Sequence, residues 1–565
     1  MSTVRDAAFD VLSSRGLTTI FCNPGSTEVS LLVDLPDDLR FVLGLHEASV
    51  VGMATGWAIG NEAPALVVLH TTAGLGTAVG AIATARVNRA PLVIIVGQQD
   101  RRHLALEPFL TGRLEGLAGD YPVWANQPAR AQDVPGALAR AWHEAVTARG
   151  PALVIVPMDD WQEPFDGEVL AAPARLLRPA AVPDADLAPL VRLLAGARSP
   201  AIVAGAGAAW DPLVALAERL RCPVFQESFG ARAGFPQDHP QYAGVLPADR
   251  ERLRKRLAPH DVVLAVGAPV FRQYVYVPGP LVAPGTSVAL VTDDPAEAHR
   301  SAADLACLAS PASVCARLAT LLPAVPATPP HHRPNVPATP SPEPPAGGPA
   351  TLEPGLDGPA PPAGTPGGAP ASGPGEPPRD GGPLRAAHVL RALASRLPTD
   401  TVLIEETPSS RPDLHRLVPA RTPLGFVSAA MGGLGFALPA AVGLRMALPD
   451  RPVVAVVGDG SALYGLHALW SATHYRVGAL FVVLANGRYA VMDRLADKQG
   501  GKAPWPPFTE VDVRGLARSL GCPARRVDSY DELTATLDEV LPGLSAREEP
   551  LLLDVTVAVD PDFQP

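Results

Sequence analysis

Short apolar runs alternate along this chain with longer stretches in which apolar residues recur at helical spacing. Between residues 18 and 157 the runs are TTIFCNP, FVLGL, ALVVLH, LVIIVG and ALVIVP, and helical patterns fall over Glu47–Asn61 and Gly74–Asn88. AIVAGAG, CPVFQES, DVVLAVG and SVALVTDDP repeat the arrangement after residue 200, with a helix near Asp211–Arg221. TVLIEE, PVVAVVG, ALFVVLANG and PLLLDVTV repeat it again after residue 400. Helical patterns in this last block lie near Arg385–Ser395, Leu434–Met446, Ser461–Tyr475, Asp512–Leu520 and Asp531–Leu541. Strand-length apolar runs joined by helices imply parallel βαβ units. The expected fold is α/β: three doubly wound parallel-sheet domains over residues 1–165, 180–322 and 384–565.

Residues 323–383 break the pattern. Proline, glycine and alanine dominate there and large apolar residues are nearly absent. Such a stretch buries too little surface to offset its ordering entropy, so it is expected to be a disordered linker. The whole chain has 565 residues, 47% hydrophobic and 18% charged, with a net charge of −11, which is an ordinary globular mixture. No basic patch suggests nucleic acid as a partner. No run reaches the length of a membrane span, and the N-terminus lacks the apolar core of a signal peptide. Five scattered cysteines, an odd number outside any CxxC array, are expected to be reduced thiols in a cytoplasmic protein. AIVAGAGAAW looks like a dinucleotide-binding turn but lacks the third glycine at its usual place.

VVGDGSALYG, Val456 to Gly465, carries more chemistry. Gly458 and Gly460 allow a close turn between a strand and a helix that starts at Ser461. Backbone N–H groups at a helix start favour phosphate. Asp459 would repel a phosphate unless a cation lay between them, which suggests Mg²⁺ bridging to a diphosphate. A plain strand–helix turn with an exposed aspartate is the other reading. ALFVVLANGRYAV then ends a second strand at Asn486, 27 residues after Asp459. One βαβ unit brings the chain back to a neighbouring strand. Asn486 and the backbone carbonyl of Arg488 then complete a set of hard oxygen ligands.

A GDG followed at this spacing by an asparagine resembles the metal–diphosphate motif of thiamine-diphosphate enzymes. The family's motif usually ends in two asparagines; here Ala485 precedes Asn486. The resemblance implies thiamine diphosphate and Mg²⁺ as cofactors, with Gly458, Gly460, Ser461, Leu434 and Tyr489 at the cofactor and Asp459, Asn486 and Arg488 at the metal. Thiamine chemistry also demands a carboxyl group paired with the aminopyrimidine, which helps its 4′-nitrogen to deprotonate C2. Glu47, after a strand and opening an apolar helix, is the candidate; its other reading is a first-turn glutamate on a helix dipole.

FCNPGSTEVSLLVDLP, LHEASVVGMATGWA, LHTTAGLGTAVGA and SAAMGGLGFALPAAVG look like benzoylformate decarboxylases of that family. The similarity covers nearly all of the chain except the proline-rich segment. It implies a small 2-oxo acid substrate, a carboxy-lyase reaction through a thiamine ylide and an enamine, and a homodimer or homotetramer. A carboligase resembling acetolactate synthase is the alternative. Ser26 matches the serine that contacts the substrate carboxylate; it also fits as the N-cap of the following helix. His70 matches the histidine that assists proton transfers; a strand-end histidine bonded to backbone is its other reading. Leu434 matches the apolar prop under the bent cofactor, or is ordinary core. Tyr274 stands where a second histidine is usual, and Ser428 and Leu495 stand where aromatic residues would pack on a phenyl ring.

Overall fold

In the computed structural model, residues 2–166, 181–324 and 382–560 are described. The linker expected over 323–383 therefore lies, apart from its ends, outside them. The chain forms three six-stranded sheets, all parallel. The first contains β1 (Thr19–Cys22), β2 (Arg40–Leu43), β3 (Ala65–His70), β4 (Leu92–Gln98), β5 (Trp124–Asn126) and β6 (Pro151–Pro157) in the order β2-β1-β3-β4-β6-β5. The second contains β7 (Pro200–Ala204), β8 (Val224–Gln226), β9 (Tyr242–Val245), β10 (Val262–Val266), β11 (Ser287–Thr292) and β12 (Leu305–Leu308) in the order β12-β11-β10-β7-β8-β9. The third contains β13 (Val402–Glu406), β14 (Val427–Ser428), β15 (Val453–Gly458), β16 (Leu480–Ala485), β17 (Ala524–Val527) and β18 (Leu551–Thr556) in the order β14-β13-β15-β16-β18-β17.

The central strands are the apolar runs read from the sequence. β4, β6, β10 and β13 are buried at every position, as strands covered by helices on both faces must be. β5, β9, β12, β14 and β17 were not anticipated, and each is an edge strand. Edge strands face solvent on one side, so they carry no continuous apolar signal; β12 alternates half-buried and exposed residues.

Helices Glu47–Asn61 and Ala437–Ala447 join the first and third domains. Both are buried along most of their length. Gly56 and Gly443 allow their backbones to touch: an added Cβ would lie 2.1 Å from the Ala440 carbonyl oxygen at Gly56 and 1.8 Å from that of Met53 at Gly443. Asn88 adds a polar clamp. Its side-chain amide donates to the Ser428 carbonyl (3.0 Å) and its oxygen accepts from the Ala430 N–H (3.0 Å).

The turn AIVAGAG, which looked like a nucleotide loop, packs on another turn. A Cβ at Gly205 would lie 2.4 Å from the Gly267 carbonyl oxygen, so its glycines serve close backbone packing. The five cysteines are free thiols. Among the described residues, no helix is long and apolar enough to cross a membrane.

Candidate active site

At the carboxyl end of the first sheet, Glu47 is the first residue of helix Glu47–Asn61. The His46 side chain caps that helix by accepting from the Ala48 N–H at 3.2 Å. Asn23, just after β1, donates to Glu47 Oε1 (3.1 Å), and the Thr77 hydroxyl donates to Oε2 (3.0 Å). The carboxylate is thus held from two other elements, which a glutamate serving only the helix dipole would not require. His70 ends β3 nearby. Gly74 lies between the two side chains: a Cβ there would sit 3.4 Å from His70 Cβ and 3.5 Å from Glu47 Cγ.

His70 is bonded to side chains rather than to backbone. Its Nδ1 lies 3.0 Å from Glu28 Oε2 and 3.0 Å from the Thr27 hydroxyl. Glu28 is buried and also accepts from the Gly25 N–H at 2.8 Å. Gly25 and Gly97 make room for this pair. A Cβ at Gly25 would collide with the His70 ring, and one at Gly97 with the Glu28 carboxylate. A proton on Nδ1 facing the carboxylate leaves Nε2 for other partners. Ser26 is exposed on the same turn. The N-cap reading of Ser26 is corrected: Gly25 holds that position, and Ser26 starts the short 3-10 helix Ser26–Glu28.

At the carboxyl end of the third sheet, Asp459 is the first residue of helix Asp459–Gly465, with Gly458 as its N-cap. The helix therefore starts two residues before the expected Ser461. Asp459 is buried and draws two strand ends together. Its Oδ1 accepts from the Gly460 N–H (2.8 Å), and its Oδ2 accepts from the N–H groups of Asn486 (2.8 Å) and Gly487 (2.6 Å). Burial raises the Asp459 pKa, against the pull of these N–H donors. The Asn486 side-chain oxygen accepts from the Arg488 N–H at 3.0 Å, which fixes its direction. Gly487 has φ +68°, a left-handed turn that glycine adopts without strain. The Tyr489 ring lies against Gly460, where a Cβ would approach it to 2.6 Å, and packs on Phe508.

The donors fit the implied groups. Asp459, the Asn486 amide and the Arg488 carbonyl are hard oxygen ligands of the kind Mg²⁺ takes alongside phosphate oxygens. A helix start beside them supplies N–H groups with no intrahelical acceptor.

Leu434 precedes helix Ala437–Ala447, which starts three residues later than its pattern suggested. It is 39% exposed rather than core. Behind it, buried Glu406 at the end of β13 accepts from the N–H groups of Gly435, Phe436 and Ala437 at 2.7–2.8 Å. Burial pushes the Glu406 pKa up to about 7, and these donors pull the other way. For the adjacent Glu405, burial also acts upward, but the Arg411 charge and hydrogen bond outweigh it and hold the group below the usual range. Ser428 belongs to this pair. It is fully buried, donates to Glu405 Oε2 (3.0 Å) and accepts from Arg411 (2.6 Å). The expectation that Ser428 lines a substrate pocket is therefore corrected. Tyr274 is 65% exposed on the middle domain, beside Phe229, and Leu495 is half-buried on helix Ala490–Lys498.

Two groups of expected residues are thus assembled, one at the carboxyl end of each flanking sheet: Ser26, Glu47 and His70 in the first, and Gly458, Asp459, Gly460, Ser461, Asn486, Arg488 and Tyr489 in the third. Asn23, Glu28, Thr77 and Glu406 were missed. Glu28 was hidden in STE, which reads as a helix start. Glu406 ends a buried strand in two acidic residues, and that was its available signal.

Three thiamine pyrophosphate enzyme domains match the chain: the N-terminal TPP binding domain over residues 2–117, the central domain over 187–318 and the C-terminal TPP binding domain over 409–555. The chain belongs to the thiamine pyrophosphate enzyme family. It is 37% identical to a benzoylformate decarboxylase of Pseudomonas aeruginosa, over 99% of this chain and 100% of that one. A thiamine diphosphate-dependent 4-hydroxybenzoylformate decarboxylase of Rhodococcus jostii superposes with a TM-score of 0.86 at 33% identity, over 99% and 100% of the two chains. A putative acetolactate synthase large subunit of Mycobacterium tuberculosis is 27% identical over 98% of each. Within the family, the chain is a thiamine diphosphate-dependent 2-oxo acid decarboxylase of the benzoylformate decarboxylase type.

Proposed function

We propose that this enzyme converts benzoylformate, or a related aryl or branched 2-oxo acid, into CO₂ and the aldehyde one carbon shorter. The observation that carries the reading is the placement of His70, held by Glu28, beside Glu47. The two benzoylformate-type relatives support the substrate class by what they act on.

Thiamine diphosphate, when bound, supplies a nucleophilic carbon and an acceptor for the electrons released as CO₂ leaves. Glu47 holds a proton at the aminopyrimidine, with Asn23 and Thr77 fixing its carboxylate. Asp459, Asn486 and the Arg488 carbonyl hold Mg²⁺. Gly458, Gly460 and Ser461 lie at the diphosphate, and Leu434 and Tyr489 at the rings. Ser26, on an exposed turn, binds the substrate carboxylate. His70 delivers a proton to the product carbon through Nε2, because Glu28 occupies Nδ1. Glu47 and Asp459 lie in different domains, and a homodimer or homotetramer brings such halves together.

The test is incubation with Mg²⁺, thiamine diphosphate and a panel of aryl and branched 2-oxo acids, with product identification. Benzaldehyde and CO₂ from benzoylformate are expected; no aldehyde from any member would overturn the reading. The acetolactate synthase relative favours a second reading, in which a second carbonyl reaches the reacting carbon before the proton does. A 2-hydroxy ketone as the main product would establish it.

A further inference from the structure

Glu406 has no part in the chemistry described so far, yet, like Asp459, it gathers three backbone N–H groups at the end of a strand. It is buried, and its two carboxylate oxygens accept three consecutive N–H groups, from Gly435, Phe436 and Ala437 at 2.7, 2.8 and 2.7 Å. Those groups close the turn Gly432-Gly433-Leu434-Gly435 and start helix Ala437–Ala447. Three of the four turn residues are glycines, so Leu434 has little neighbouring side chain to hold it. Gly432 and Gly435 have φ +75° and +88°, conformations that a β-carbon would strain. A glycine turn of this kind is permissive, and something outside it must choose its shape. A buried carboxyl group that accepts from three consecutive amides is strong enough to do so.

We propose that Glu406 is a positioning residue, which fixes the turn carrying Leu434 and acts on turnover through Leu434. The proposal rests on the reading of Leu434 as the prop under the bound cofactor. β13 then ends in two carboxylates with separate tasks. Glu405 pairs with Arg411 and Ser428, and Glu406 holds the turn. Glu406→Gln keeps the shape but supplies one acceptor oxygen in place of two, so at least one of the three amides loses its partner.

The test compares Glu406→Gln, Leu434→Ala and the double variant. Hydrogen–deuterium exchange over residues 431–438, measured without cofactor, is expected to speed up about tenfold in Glu406→Gln, the effect of losing one buried hydrogen bond. The kcat for benzoylformate, or for the oxo acid the panel identifies, is expected to fall about tenfold in Glu406→Gln with KM within about twofold. It is expected to be no lower in the double variant than in Leu434→Ala. Unchanged exchange, or single-variant losses that multiply in the double variant, overturns the proposal and leaves the Leu434 reading intact. An unchanged kcat in Leu434→Ala overturns the Leu434 reading itself, and the proposal with it. If Glu406→Gln does not fold, Gly435→Ala displaces the same turn, because its Cβ would lie 2.9 Å from Tyr464 Cβ. The same coupling to Leu434 is then expected, and its absence contradicts the proposal.

Discussion

The first and third domains have the same strand order, and their equivalent positions carry different chemistry. β3 and β15 are the third strands in from the β2 and β14 edges of their sheets. β3 ends in His70, and β15 ends in Gly458 with Asp459 following. The helix entered after β2 begins with Glu47, and the helix entered after β14 follows the Leu434 turn. These two equivalent helices, Glu47–Asn61 and Ala437–Ala447, pack on each other through glycines. Topology therefore decides where side chains converge, at the carboxyl ends of the strands. The residue at each end decides what is done there. In the proposed function, the first domain handles protons, and the third holds metal and diphosphate.

This division can be attacked from either side. Chelation of divalent metal strikes the third domain, and activity is expected to fall more than about a hundredfold and return with Mg²⁺; full activity in chelator would break the assignment of Asp459. His70→Ala strikes the first domain, with kcat expected to fall about a hundredfold while thiamine diphosphate still binds. The shared helix seam is tested by Gly443→Ala. Its Cβ would meet the Met53 carbonyl oxygen, a backbone atom that cannot swing aside. A loss of about 2–3 kcal/mol is expected, read as a lower Tm, and an unchanged Tm would contradict the packing.

A smaller effect separates the middle domain from both. Glu227 is buried, and burial pushes its pKa from the ordinary glutamate range up to about 8. The folded state then binds this proton more tightly than the unfolded state. The stability it contributes is full below about pH 4.5 and is lost as pH rises through 8. Glu227→Gln is expected to flatten the fall in Tm over that window, and an unaltered pH dependence would remove Glu227 as its source.

The legible parts of the sequence were those where one physical cause dominates. Central strands read as apolar runs because helices cover both faces. The short edge strands lacked that signal, and Val427–Ser428 and Ala524–Val527 went unseen. Asp459 and Asn486 stood out because a carboxylate beside a phosphate-friendly turn suggested a cation, and the structure joins the two residues through the Asn486 N–H and the Asp459 carboxylate. Glu28 was invisible for the opposite reason: a helix-start pattern already explained it, and only the fold brings it to His70, 42 residues later. Ser428 misled because sequence position cannot show which way a side chain faces, and this one faces Glu405.

The most direct test sets Glu47→Gln against Asp459→Asn, measuring thiamine diphosphate affinity in Mg²⁺ alongside turnover of the oxo acid. Glu47→Gln is expected to lower kcat about a thousandfold while affinity stays within about tenfold. Asp459→Asn is expected to weaken affinity about a hundredfold or more. An Asp459→Asn enzyme that binds cofactor normally, or a Glu47→Gln enzyme that turns over at the parent rate, would contradict the division of labour between the two like domains.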